Sequence, residues 1–322
     1  FNTMSIRITY LQFVAMAAFM LVFLGCSSDD EPTTNVPPQT TDSESVSMML
    51  SLGALTRATG TEGESGSVKT RWEQGDKVYF NYTKTFVDDR EILNVFTVES
   101  IDDANPSSAV FTCPEFIMPR GIEEGQLVYV GKKEVHSLAD LSPESISLGA
   151  QVQNGNNSLA AIGNYLYMAT TYFRAISPED VRQATLSLKH IYSLVTLQVK
   201  RPEGWTGNEL SEIALSLNSE NVTLLGTTDN RIVMTLQNAV WNNDLLIVHF
   251  IVNMAGLINE GNTWTVNVKE AGSQNQFKLT YAAKLLESGK HYTSLVSSDP
   301  SDYETPVEIE IPGFEDGGDA FE

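Results

Sequence analysis

The sequence has 322 residues, a formal net charge of −21 and only two cysteines. A chain this acidic repels the phosphate backbone of nucleic acids, so no nucleic-acid partner is expected. Its apolar residues, 42% of the total, are enough for a sizeable core spread over about two ordinary domains.

The first predicted element is a secretory signal peptide at residues 1–25. Arg7 precedes a mostly apolar run at residues 11–24, which is shorter than the roughly 20 residues that span a bilayer. The junction of Gly25 and Cys26 resembles the lipobox of bacterial lipoproteins. That resemblance implies cleavage before Cys26 and acylation of its thiol and new amine with fatty acids such as palmitate, which would anchor the protein to the outer membrane. An ordinary secreted protein with a chance cysteine is the alternative.

The next predicted element is a flexible tether at residues 26–45. This stretch is rich in Ser, Thr, Asp, Asn, Gln and Pro and contains too few apolar residues to fold. Asp29, Asp30 and Glu31 resemble the acidic signal that exports lipoproteins of the Bacteroidota to the outer leaflet. The resemblance implies a surface-exposed protein. The alternative is that these acidic residues belong to a solvated spacer and carry no export signal.

The first strand is predicted directly after the tether, because apolar residues occupy alternate positions there. A glycine-rich segment that contains Gly60, Gly63 and Gly66 follows Arg57 and predicts a loop. The alternating residues are Val46, Met48, Leu50, Leu52 and Ala54.

The rest of the chain predicts an all-β protein. Short β-rich runs are separated by turn residues every 8–12 positions or so, which is typical of β-sandwiches. Ser177 and Pro178 predict the start of a helix of one or two turns. Residues 149–164 are rich in glycine and asparagine and predict a loop. We expect an N-terminal β-sandwich domain at 46–180, a C-terminal one at 181–311, and a disordered acidic tail at 312–322.

No pattern in the chain predicts catalysis, a metal site or a cofactor. There is no phosphate-binding glycine loop and no nucleophile elbow. Cys113 lacks the basic neighbour that would activate its thiol. The histidines are scattered singly rather than at metal-ligand spacing, and core positions are expected for those within strand patterns. The four are His136, His190, His249 and His291.

Several segments together resemble the fimbrillin-like (Mfa-like) family, the subunits of type V fimbriae in the Bacteroidota. Each segment is short, and their order and spacing over residues 1–296 carry the resemblance. They are Leu55-Thr56-Arg57-Ala58-Thr59, Trp72-Glu73-Gln74-Gly75-Asp76, Asn164 to Ala169, Leu186 to His190 with Leu194 to Val199, and Ser288 to Thr293.

The resemblance implies two transthyretin-like β-sandwich domains in series and no catalytic activity. Subunits of that family are exported as lipoproteins and cut by an arginine-specific protease after the first strand. A strand from a neighbouring subunit then fills the vacated groove. Arg57 matches the cut position, and the alternating residues from Val46 to Ala54 would vacate the groove. Other fimbrial subunits are therefore expected partners, with adhesion to a host or bacterial surface as the role.

The alternative class is a glycan-binding outer-membrane lipoprotein of a nutrient-uptake system. Such proteins also combine an acyl anchor, a tether and β-sandwiches. The four tryptophans would then be platforms for stacking sugars, although core positions are the more common use of tryptophan. They are Trp72, Trp205, Trp241 and Trp264.

Overall fold

Nearly all regular elements are β-strands in the computed structural model, which describes residues 43–52, 71–83, 91–131, 133–299 and 314–321. The only α-helix among these residues is α1 (Pro178–Gln183), and 3₁₀ turns occupy Leu138–Leu141, Pro143–Ser145 and Ile162–Asn164. The all-β class predicted from the sequence is confirmed. The strands are β1 (Glu44–Leu52), β2 (Lys77–Asn81), β3 (Val95–Ile101), β4 (Ser108–Phe116), β5 (Glu124–Tyr129), β6 (Ala150–Asn154), β7 (Met168–Ala169), β8 (Phe173–Arg174), β9 (Thr185–His190), β10 (Ser193–Lys200), β11 (Leu210–Asn218), β12 (Val222–Leu224), β13 (Arg231–Gln237), β14 (Leu245–Val252), β15 (Met254–Gly256), β16 (Thr263–Glu270), β17 (Gln276–Ala282), β18 (Lys290–Val296) and β19 (Glu315–Gly318).

The N-terminal half of the described chain is organised by one closed sheet. Its strands follow the order β2-β3-β4-β1-β9-β7-β5. Strand β5 also pairs with β2, so these seven strands form a closed ring. Strand β8 adds to β5 outside the ring. The first hydrophobic core is built largely from the buried residues of these strands, and Phe80, Phe96 and Phe111 are each fully buried in it.

Two further sheets share the second hydrophobic core. One has the order β14-β10-β18-β19 and the other the order β17-β16-β11-β13-β6. Alternate residues of β11 and β16, such as Ile213 and Val266, meet residues of β10 and β14, such as Leu197 and Phe250, in this core. The short pair of β12 and β15 stands apart from both sheets.

Helix α1 begins where the sequence predicts it. The Ser177 hydroxyl accepts the backbone N–H of Asp180 at 3.2 Å, and the Asp180 carboxylate accepts the backbone N–H of Ser177 at 2.9 Å. This reciprocal capping satisfies donors that a helix start leaves unpaired, and Pro178 suits the first turn. The helix ends after Gln183 and β9 begins at Thr185.

Strand β6 lies in the stretch that was predicted to be a loop, and that prediction is wrong for Ala150–Asn154. Its backbone pairs in parallel with β13. On its other side, the Gln151 side-chain amide bonds the N–H and C=O of Ile251 at 3.0 and 2.7 Å. Gln153 does the same for the N–H of His249 and the C=O of Ile247, at 2.9 and 2.8 Å. Glutamine side chains therefore take the place of a strand along the edge of β14.

The acidic C-terminal segment was predicted to be disordered, and that prediction is wrong for its described part. Strand β19 pairs in parallel with β18. Before it, the ring of Phe314 stacks on His190 with centroids 4.2 Å apart, and after it Phe321 stacks on Tyr281 at 4.5 Å. Two aromatic contacts thus hold an otherwise acidic stretch against the fold.

The predicted boundary between 46–180 and 181–311 does not coincide with the division between sheets. Strand β9 follows the boundary and pairs with β1 in the closed sheet, whereas β6 precedes it and pairs with β13. Residues Asp42–Glu322 belong to one compact unit. The assignment of two transthyretin-like sandwiches in series stays a prediction. No helix among the described residues is long and apolar enough to span a membrane.

Candidate functional site

The candidate site is the place of β1 within the closed sheet. Strand β1 pairs antiparallel with β4 from Glu44 to Ser51 and parallel with β9 from Met49 to Leu52. Both of its edges are therefore hydrogen-bonded. A strand in this position cannot leave without exposing the backbone groups of two neighbours at once.

The buried face of β1 is a row of four large apolar side chains. Val46 and Leu50 are 0% exposed, Met48 is 2% exposed and Leu52 is 6% exposed. Each buried aliphatic side chain stabilises the fold by roughly 1.5–3 kcal/mol. Residues at the intervening positions face solvent, as the exposed Met49 illustrates. These four side chains are thus the apolar part of the candidate site.

The wall beside this row is formed by β4 and supported by a tryptophan. In the antiparallel register Val46 is opposite Cys113, and Met48 is opposite Phe111. The Phe111 ring meets Trp72 edge-on with centroids 4.8 Å apart. Trp72 belongs to one of the resemblance motifs, whose turn places Gly75 at φ +90°, a conformation that favours glycine. Phe111 is therefore also held by a contact that does not involve β1.

The start of β1 is held by α1. Arg182 Nη2 donates to Glu44 Oε2 at 2.5 Å and to the carbonyl oxygen of Ser45 at 3.1 Å. The hydrogen bond with Glu44 raises the pKa of Arg182. An exposed ion pair of this kind contributes little to stability. Sequence reasoning missed Arg182, because nothing near it in the chain indicates that Glu44 lies beside it.

Several residues predicted for the site lie outside the described residues. These are the lipidation residue Cys26, the processing residue Arg57 and Ala54, the last of the alternating apolar residues. The four others of that row are brought together in β1. Cys113 is 4% exposed, and burial raises the pKa of its thiol, which disfavours the reactive thiolate.

Three histidines are buried, and two of them, His249 and His291, share Thr196 as a hydrogen-bond partner. Thr196 Oγ1 lies 2.8 Å from His249 Nδ1 and 2.7 Å from His291 Nε2, and His249 Nε2 lies 2.9 Å from Asn157 Oδ1. His190 is also buried. Burial lowers the pKa of His190 and of His249 to about 3, and that of His291 to about 4. All three are therefore neutral at physiological pH.

The tryptophans do not form a shared surface. Trp72 is 2% exposed and Trp264 is 0% exposed, so both are core residues. Trp205 is half-buried with its ring centroid 5.6 Å from that of Phe277, and Trp241 is half-buried. Across the described ranges of the chain, no group of three His, Cys, Asp or Glu side chains is placed to hold a metal ion.

Comparison with known proteins gives similarity only at the level of solved structures. No family model matches the chain, and no curated protein is significantly similar to it. A proposed cell adhesion protein from Bacteroides ovatus is 16% identical, with a TM-score of 0.42 over 85% of this chain and 98% of that one. One from Bacteroides uniformis is 13% identical, with a TM-score of 0.41 over 80% and 93%. A fimbrial assembly protein from Parabacteroides distasonis is 13% identical, with a TM-score of 0.38 over 81% and 94%.

Proposed function

We propose that this chain is a subunit of a surface fimbria that serves in cell adhesion, and that subunits join by adding a strand at the place of β1. The position of β1 carries the proposal. It is the first strand after the predicted tether, it lies between two strands in a closed sheet, and it places four buried side chains in the first core. Other subunits of the same fimbria are the proposed partners.

Removal of β1 would create a strong template for another strand. The vacated place would offer unpaired backbone groups along β4 and β9 and an apolar floor beside Phe111 and Leu188. Both features favour the addition of an extended segment from another chain. Filling four apolar sites at roughly 1.5–3 kcal/mol each would offset part of the cost of ordering the incoming segment, and the backbone hydrogen bonds to β4 and β9 would add to this.

The neighbours of β1 also favour one direction of the incoming strand. A strand that runs antiparallel to β4 and parallel to β9 would reproduce the pairing of β1, whose longer ladder is the one with β4. Its apolar side chains must recur at every second residue, because a shift of one residue would turn them to solvent. These two conditions describe the donor segment that suits the site.

The location that we propose for the protein in the cell is inferred from the sequence motifs near the N-terminus. We assign Cys26 as the acylated residue and the outer leaflet of the outer membrane as the location. An arginine-specific protease is the proposed processing partner, with Arg57 as the cut site. No catalytic activity is proposed for the chain itself.

We expect an arginine-specific protease to cut the protein mainly after Arg57 and to release the chain up to that residue. The glycine-rich sequence that follows is typical of an accessible loop. The truncated product should bind an apolar dye or form oligomers as strands of other copies enter the open site. Mass spectrometry would locate the cut, and dye fluorescence with light scattering would follow the consequence.

Two controls separate strand addition from simple unfolding. Arg57→Ala should resist the cut and remain monomeric, whereas Arg71→Ala, a change at the next arginine in the sequence and a second candidate cut site, should still be cut. A peptide with the β1 sequence, residues 44–52, should abolish dye binding and oligomers, and the same peptide with Leu50→Asp should not. If the truncated protein stays monomeric, binds no dye and keeps its stability, strand addition at β1 is wrong.

Replacement of the proposed anchor residue, Cys26, tests the acyl anchor independently of the protease cut. In cells given labelled palmitate, we expect the wild-type protein to carry label and to sediment with membranes. Cys26→Ser should carry no label and should leave the membrane fraction, because the acylated thiol is lost. Cys113→Ser is the matched control and should behave like the wild type. Label on the Cys26→Ser variant would exclude this residue as the anchor.

The structure argues against the sugar-stacking role that the alternative glycan-binding class would give to the tryptophans. Trp72 and Trp264 are enclosed in the two hydrophobic cores and cannot stack on a sugar without unfolding.

A further inference from the structure

The outer face of the five-stranded sheet differs in charge from the rest of the protein. This face, the side of β17-β16-β11-β13-β6 that points away from the second core, carries Arg231, Lys269 and Lys278 and a single carboxylate, Glu212. Its other outward side chains are uncharged. A local excess of cations on a chain with a net charge of −21 is the opposite of what its composition leads one to expect.

The four charged groups differ in the ion pairs that they form. Glu212 Oε1 lies 2.9 Å from Lys269 Nζ and 3.4 Å from Arg231 Nη2. Lys278 is exposed and forms no ion pair within the described part of the chain. Arg231 keeps 46% of its side chain exposed. Lys278 is therefore free to meet an anion, and Arg231 shares a single carboxylate with Lys269, so its exposed part can also do so.

These two cations stand on opposite sides of a shallow depression of about 640 Å³. Its floor is made of small and polar side chains from the middle strands, including Ala214, Ser216 and Thr265. Lys278 lies on β17 and Arg231 on β13, three strand spacings apart, or roughly 14 Å. Asn267 and Gln276 add amide groups along the depression.

We propose that this face binds an oligosaccharide bearing carboxylate groups, with Lys278 and Arg231 holding its anionic ends and the small polar floor meeting its hydroxyls. Hydroxyl and amide side chains can both donate and accept hydrogen bonds, as sugar hydroxyls require. A guanidinium fork matches a carboxylate. The separation of the two cations selects an extended chain of several sugar units rather than a single one.

The composition of the face disfavours a protein partner. The cores of protein interfaces are enriched in aromatic residues, Met and Arg, and depleted of Lys, Ser and Ala. The aromatic residue along the depression, Phe277, is half-buried against Trp205, and the largest exposed apolar side chain of the face, Val152 on β6, is 37% exposed. Its residues are instead small, polar or cationic, as suits a hydrated anionic ligand.

This inference is independent of subunit assembly, because the binding face and β1 lie on different sheets. Its test can succeed or fail whatever happens at Arg57. In a fimbria, this face would bind the ligand to which the fimbria adheres. A protein that never polymerises could use the same face to bind the same ligand.

The test measures binding of fluorescently labelled hexagalacturonate to the purified protein by fluorescence polarisation. We expect saturable binding that weakens as NaCl is raised from 50 to 500 mM, since salt screens exposed charges. The methyl-esterified hexasaccharide, equal in length but neutral, and the charged disaccharide should each bind at least about tenfold more weakly, which corresponds to the loss of a single good charged contact.

Matched variants locate the binding to this face. Lys278→Glu should raise Kd at least about tenfold, and Ser216→Trp should remove binding by filling the depression. Lys189→Glu makes the same charge change on the exposed side of β9 in the other sheet and should leave Kd unchanged. Equal effects of the two Lys→Glu changes, or equal affinity for the neutral hexasaccharide, would overturn the proposal. A protein dimer that Lys278→Glu dissociates would overturn it in favour of an interface between copies.

Discussion

Leu50→Ala should lower the free energy of unfolding by about 2–5 kcal/mol, the usual cost of truncating a buried leucine. Leu50 is 0% exposed in the middle of β1, between Ala109 of β4 and Leu186 of β9. Both neighbours are held by their own strands, so the cavity left by the lost methyl groups can collapse only in part. Urea unfolding followed by tryptophan fluorescence would measure the change, since Trp72 lies in the same core.

The next residue along the strand supplies the matched control. Met49 is 56% exposed on the opposite face of β1, so Met49→Ala should change stability by no more than about 0.5 kcal/mol. Equal losses for the two variants would mean that the inward and outward faces of β1 are assigned in the wrong register. The four apolar sites proposed for strand addition would then be assigned to the wrong face.

Acidification from pH 7 to pH 5 should destabilise the protein, and His190→Phe should remove a substantial part of that loss. Burial lowers the pKa of His190 to about 3, whereas the unfolded chain titrates near the ordinary value of about 6.5. Below that ordinary value the unfolded state binds a proton that the folded state does not. Stability is therefore fully present above about pH 6.5 and falls as the pH drops, by roughly 1.4 kcal/mol per unit for one such histidine.

Histidines dominate the change between pH 7 and pH 5, because carboxylates titrate mostly below this window. Asp140, whose pKa is lowered to about 2 chiefly by a backbone hydrogen bond from His136, stays ionised throughout this window. His249 and His291 contribute in the same direction as His190, since burial lowers the pKa of each. The loss for each histidine over this window is roughly 2 kcal/mol.

His190→Phe should keep the stacking contact with Phe314 while removing the titrating group. Urea unfolding at pH 7 and pH 5 should show a smaller stability loss for this variant than for the wild type, by roughly 2 kcal/mol. His136 is exposed, so His136→Gln is the control and should reproduce the wild-type loss. An unchanged pH dependence in His190→Phe would show that His190 is accessible to protons in the folded state.

Local patterns predicted the elements whose cause lies within a few residues. The alternation from Val46 to Leu52 predicted β1 and the face it buries, and the Ser177-Pro178 start predicted α1. Capping and strand alternation are short-range effects, so they can be recognised in the chain itself. The row of apolar residues proposed for the candidate site was therefore available from the sequence.

The wider arrangement depended on contacts between distant parts of the chain. The sequence by itself determined the all-β class, the apolar face of β1 and the motifs of residues 1–59 that carry the proposed anchor and cut site. Tertiary structure alone decided that β9 pairs with β1 and that Gln151 and Gln153 cover the edge of β14. It also decided that aromatic contacts hold the acidic end of the chain, and that Arg231 and Lys278 flank one depression. Hydrogen bonds and aromatic contacts between distant residues depend on which strands become neighbours in the sheets, and no local pattern in the chain specifies the pairing of strands that are far apart in sequence.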